Sequence, residues 1–170
     1  MSLRWIGAIL IFTGCGGVGL FMVLLDKRQL ETVKELADAL VFMRNELSCR
    51  VTPLPELCVM ASSACKGEVS AVLKAFSTEL EGQALWDVSL CMSAAVTQCR
   101  PLPQAVEALL DKLGKSIGKF GLSEQLAGLD ALLLECNTLR SDLERDRPQR
   151  LRNYQTLALC SGAAMAILLL

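Results

Sequence analysis

Charge in this chain of 170 residues is confined to the middle, and that confinement restricts what it can fold into. Of its 35 charged residues, all but Arg4 lie between positions 26 and 152. That stretch is about 27% charged, an ordinary composition for a water-exposed domain. The apolar excess behind the overall 52% hydrophobic content therefore sits at the two ends. A single uniform globule does not distribute its charge this way; a polar insert between two hydrophobic termini does.

Trp5 to Leu25 is an uncharged run. As a helix it would span roughly 31 Å, against a bilayer core of about 30 Å. Arg4 precedes it and Asp26-Lys27-Arg28 follows. Thr13 with Gly17, and Cys15 with Gly19, are small-xxx-small pairs, and Gly14 adds to the same segment. Such residues allow close helix–helix approach in lipid. No A-x-A cleavage pattern follows, which argues against a secretory signal. Phe12-Thr13-Gly14-Cys15 loosely resembles a lipoprotein cleavage box, but the apolar run continues well past Cys15. Residues 153–170 are also uncharged, a short span workable with snorkelling arginines or a thinned membrane.

The basic residues then set the orientation expected by the positive-inside rule. Lys27, Arg28 and Lys34 lie on the insert side of the first span, and Arg145, Arg147, Arg150 and Arg152 on the insert side of the second. The expectation is an N-terminal transmembrane helix (1–25), a cytosolic helical bundle (26–152) and a C-terminal transmembrane helix (153–170), with both termini outside. Eight cysteines without a C-x-x-C spacing agree with a reducing compartment, where each serves as a small core hydrophobe.

The insert reads as helices throughout. Leu30, Val33, Leu36, Ala37, Leu40, Val41 and Leu47 recur at three and four. Thr52-Pro53 reads as an N-cap followed by proline at the first helical position, opening a helix to about Ala64. Val69, Val72, Leu73, Phe76 and Leu80 mark a third helix, and Trp86, Leu90 and Ala94 a fourth. A fifth runs from Pro103 to about Leu113, followed by a loose turn through Gly114, Gly118 and Gly121. Ser123 caps the last, which Leu126, Leu129, Leu132, Leu133, Cys136, Leu139 and Leu143 line; a kink is expected at Pro148. Pro53-Leu54-Pro55 and Pro101-Leu102-Pro103 form a small internal echo, each opening a helix. No stretch alternates with a period of two.

Catalytic chemistry is missing from this pattern. Histidine is absent, which removes Ser-His and Cys-His triads and His-ligated zinc. There is no phosphate-binding glycine loop and no nucleophile elbow. Glu79 and Glu81, or Asp142, Glu144 and Asp146, are spaced by two, which on a helix points their side chains apart. Net charge is −1 and aromatic content 5%, offering neither an electrostatic footprint nor stacking platforms for nucleic acid. No enzyme, cofactor, metal or small-molecule substrate is expected.

Several residues carry a family resemblance: Gly14-Cys15 and Gly19, then Thr52-Pro53-Leu54-Pro55-Glu56, Trp86, Leu113-Gly114, Ile117-Gly118, Gln125, and Tyr154 before the apolar terminus. In that order and over nearly the whole chain they resemble the stage III sporulation protein AB family of endospore-forming bacteria. Gly121-Leu122-Ser123-Glu124-Gln125 departs from the expected glycine, small residue and aspartate before the glutamine. The resemblance implies a fold similar to the cytosolic helical domains of the type II secretion inner-membrane platform protein. It implies membership of a channel-like complex between mother cell and forespore, near a secretion-type ATPase. The expected fold is an all-α antiparallel bundle of about six helices flanked by the two transmembrane helices. The expected function is that of a membrane-anchored structural subunit coupling the ATPase to the membrane assembly. Arg145, Arg147, Arg150 and Arg152 are candidates for partner or headgroup contact. A lipid-anchored or membrane-tethered helical sensor is the alternative.

Overall fold

Among the residues it describes, a computed structural model gives six helices: α1 (Ser2–Arg50), α2 (Leu54–Ala64), α3 (Glu68–Gly82), α4 (Val88–Gln98), α5 (Gln104–Ile117) and α6 (Leu122–Leu169). The structure describes residues 2–50, 52–82, 87–117 and 121–169, with side chains placed for 22, 24–50, 52–82, 87–117, 121–146, 156 and 160. Among the described residues there is no strand. The chain divides into two compact units, one of residues 29–141 and one of 1–28 with 142–170. Among the described residues no helix is long and apolar enough to cross a membrane. The side chains of 5–25 and 153–170 lie outside the described residues, except Met22, Leu24, Leu25, Thr156 and Cys160.

The core of the 29–141 unit grows from one stripe of α1. Leu30, Val33, Leu36, Ala37, Leu40, Met43 and Leu47 are buried, following the helical period. Val41, assigned to that stripe from its spacing, instead faces solvent, and Met43 takes its place in the core. α3 contributes Val69, Val72, Leu73 and Phe76, all fully buried. In α4 the buried face is Cys91, Met92 and Ala95, so the expected face through Leu90 is off by one residue and Leu90 is exposed. Leu129, Leu132 and Cys136 line the inner face of α6.

Helix ends correct several sequence expectations. Thr52 is not the cap of α2: Pro53 holds that position without a side-chain cap, and the Thr52 hydroxyl donates to Glu46 Oε1 at 3.3 Å. Pro53 O accepts from Leu57 N, and Pro103 O from Val106 N and Glu107 N, so both halves of the echo do open helices. Their registers differ, since α2 starts at Leu54 whereas Leu102 precedes α5. Asp87 caps α4 by accepting from Ser89 N. α5 continues four residues beyond Leu113, carrying Gly114 inside the helix and not in a turn. A Cβ on Gly114 would lie 2.8 Å from Met92 Cβ, so the missing side chain lets α5 approach α4. Ser123 lies inside the first turn of α6, where Gly121 O accepts from Gln125 N. The helix assignment runs unbroken through Pro148.

Gly67 closes the α2–α3 turn with φ +124°, a conformation that strains any residue carrying a Cβ. The Glu35 carboxylate of α1 fills the space such a Cβ would need. Gly67→Ala should therefore lower stability by about 1–3 kcal/mol. Gly82→Ala, at the end of α3 with nothing within 4 Å, should be neutral or mildly stabilising. Thermal unfolding of the detergent-solubilised full chain compares the two; equal effects would remove the special role of Gly67.

Candidate functional site

The described side chains hold one another rather than converging on a reaction centre. Glu79, one of the spaced carboxylates, accepts from Gln98 Nε2 at 2.7 Å and so ties α3 to α4. Among the described residues no group of three or more Cys, Asp or Glu side chains could hold a metal ion. The thiols are mostly structural. Cys58, Cys65, Cys91 and Cys136 are buried, and Cys49 and Cys160 are exposed. Burial pushes the Cys58 thiol up to about 12, and burial together with the Glu135 carboxylate pushes Cys136 up to about 11. Both are poor nucleophiles at neutral pH, because the thiolate is the reactive form.

Two tie points dominate the electrostatics, and neither has a sequence signature. At the first, the Glu35 carboxylate accepts the Val69 N–H and so caps α3 from another helix, while Cys65 Sγ donates to Glu35 O at 3.6 Å. Burial raises the Glu35 pKa against the opposing pull of that hydrogen bond, and Glu68, Glu31 and Asp38 raise it further. At the second, α6 is clamped on both sides: Arg44 of α1 pairs with Asp130, and Lys112 of α5 pairs with Glu135. All four partners are about half exposed, so water screens each pair and it contributes little by itself.

The described residues among those carrying the family resemblance lie at helix ends and seams. Pro53, Leu54, Pro55 and Glu56 form the first turn of α2 with its cap, and Glu56 is exposed there. Gly114 is buried against Met92. Gln125 Nε2 donates to Ile117 O at 3.1 Å, satisfying a carbonyl at the C-terminal end of α5. Trp86 and Gly118 lie outside the described residues, as do the side chains of Thr13, Cys15, Arg147, Arg150 and Arg152 and the surroundings of Gly14, Gly17 and Gly19. Arg145 is exposed. Within residues 29–141, the described ones fall on different helix ends and seams.

Between α5 and α6 there is a groove of about 260 Å³ lined by Lys112, Lys115, Ser116, Gly128, Ala131, Leu132 and Glu135. At Gly128 the two helices come close: a Cβ there would lie 2.9 Å from Ser116 Cβ, so the missing side chain permits the approach. The sequence gives no hint of it, since its walls come from two helices packed together only in the fold.

Fold and side chains thus define a helical protein whose described residues are arranged for packing and contact. The chain belongs to the stage III sporulation protein AB family, whose family model matches residues 4–170. That family is one of sporulation proteins and not a known enzyme family. A solved structure of "Stage III sporulation protein AB (SpoIIIAB)" is similar with a TM-score of 0.63 at 17% identity, covering 72% of this chain and 98% of that one. At that identity the likeness shows the fold, and it bears out the all-helical expectation. No curated protein matches the chain.

The raised pKa of Glu35 has a signed consequence. An acid whose folded pKa lies above its unfolded value, about 4.3, contributes stability that is present below the unfolded pKa and lost as pH rises through the folded one. Melting temperature of the wild type should therefore fall more steeply with rising pH above about 4.3 than that of Glu35→Gln. Parallel profiles for the two proteins would show that Glu35 titrates as an ordinary carboxylate.

Proposed function

We propose that this protein is a membrane-anchored structural subunit of the sporulation transenvelope complex between mother cell and forespore. Its helical bundle stands in the mother-cell cytosol and couples a secretion-type ATPase to the membrane assembly by helix–helix contact. The observation that carries this reading is the family match over residues 4–170, which takes in both apolar termini as well as the bundle. Residues 5–25 and 153–170 are the proposed spans, and Thr13, Gly14, Cys15, Gly17 and Gly19 the proposed packing surface of the first. Met22, Leu24 and Leu25, at the end of that span, are exposed large hydrophobic side chains, as residues facing lipid would be. Arg145, Arg147, Arg150 and Arg152 would lie at the headgroup level or against a partner.

Charge supports the same division. Residues 29–141 carry ten basic and fourteen acidic side chains, net −4, while 1–28 with 142–170 carry seven and four, net +3. Basic residues beside apolar segments favour an anionic inner leaflet. The sensor alternative gains less support. The groove between α5 and α6, at about 260 Å³, falls below the roughly 300–1,000 Å³ of ordinary small-molecule sites.

Deletion of the gene should block sporulation, and the tagged full chain should co-purify in mild detergent with the secretion-type ATPase of the same cells. Normal spore yield in the deletion strain would overturn the proposed role. Failure to retain the ATPase, alongside a sporulation block, would remove the coupling while leaving a structural subunit.

A further inference from the structure

We infer that Glu35 is a proton-sensitive latch: its neutral carboxyl holds the α2–α3 turn against α1, and its ionisation releases that turn while leaving the α2–α3 hairpin intact. The segment it governs is residues 65–69, between the end of α2 and the first turn of α3.

Ties from this segment to α1 meet on that one residue. Cys65 Sγ donates to Glu35 O at 3.6 Å. Val69 N–H donates to the Glu35 carboxylate. The same carboxylate occupies the space that a Cβ on Gly67 would need. Gly67 holds φ +124°, where glycine alone is free of strain, so the turn is shaped to admit the carboxylate. The hairpin itself is fastened elsewhere. Ser70 Oγ donates to Ser62 O at 2.6 Å, joining α3 to α2, and Leu57, Ala61, Val72 and Leu73 are fully buried. Loss of the Glu35 ties therefore frees the turn from α1 without separating α2 from α3.

Charge decides whether the latch holds. The carboxylate is partly buried, and the charged groups acting on it are Glu68 at the start of α3 and Glu31 and Asp38 on α1, all acidic. Cys65, at the end of α2, is the other titratable group beside it; burial, then Glu35 and Asp38, raise its pKa and keep the thiol neutral. Lys66 is exposed in the turn, and Lys34 adjoins Glu35 in sequence, where neighbours on a helix do not face each other. Ionised Glu35 thus meets burial and three like charges, against one backbone N–H that favours the charged form. Protonation favours the docked turn. Its hold is complete below the free carboxyl's pKa of about 4.3 and is lost as pH rises through the raised, docked value.

Amide hydrogen exchange of the detergent-solubilised full chain, followed from about pH 4 to about pH 8, reads this opening locally. Each rate is divided by its intrinsic value at that pH, so that protection alone is compared. Protection over residues 66–71 should fall as pH rises above about 4.3, by at most about tenfold per pH unit, the limit for one proton. Protection over α5, residues 104–117, should not share that fall. Glu35→Gln should abolish the fall over 66–71. Glu68→Gln removes an acidic neighbour and should move the fall to lower pH, which keeps the latch testable if Glu35→Gln does not fold. Level protection over 66–71 in the wild type would overturn the latch. An equal fall over 104–117 would overturn it too, since the opening would then be global. So would a fall in Glu35→Gln matching the wild type, or a Glu68→Gln profile superimposed on it.

Discussion

The bundle depends on the buried stripe of α1. Val33, Leu36, Leu40 and Met43 are all within 1% of full burial, and each contributes about 1.5–3 kcal/mol by leaving water. Among the described residues no other helix supplies as many buried large side chains in one unbroken row. The polar ties are arranged around it: Glu35 caps α3 from one flank, and Arg44 reaches Asp130 of α6 from another. The hydrophobic term is non-directional, so it collapses the helices without fixing their register. The carboxylate cap and the glycine it requires supply direction at the α2–α3 turn.

Helix number and order were legible because periodicity at three and four survives in every segment. Boundaries and faces were less so. Gly114 reads as a breaker, and in isolation it destabilises a helix by about 1 kcal/mol relative to alanine. Packing against Met92 overrides that preference, because only glycine permits the approach. Val41 and Leu90 fit their hydrophobic stripes by spacing, yet a stripe wide enough to admit them has two edges, and the fold covers only one. Thr52 and Ser123 have the chemistry of caps, but each sits one or two residues from the position where a cap acts.

The tie points and the groove were not legible at all. Glu35 looks like any surface glutamate on an amphipathic helix, and its partner Val69 is distant in sequence. The close approach of α5 and α6 arises from an absent side chain at Gly128 meeting Ser116. Tertiary juxtaposition of this kind leaves no local periodicity to read. What the sequence offers here is an expectation: without histidine, nucleotide loops or paired carboxylates, it reads as a chain whose work is recognition and assembly. Family membership gives that conclusion its setting in sporulation.

The central claim is that the bundle stands in the cytosol on a membrane-anchored chain, and thiol accessibility measures it most directly. Cys49 is exposed at the end of α1, whereas Cys58 and Cys136 are buried with raised pKa values. A membrane-impermeant maleimide is added to intact or permeabilised sporulating cells, and the labelled peptides are identified by mass spectrometry. The account predicts Cys49 unlabelled in intact cells and labelled after permeabilisation, with Cys58 and Cys136 unlabelled in both until the chain is unfolded. Labelling of Cys49 in intact cells would place the bundle outside and contradict the account.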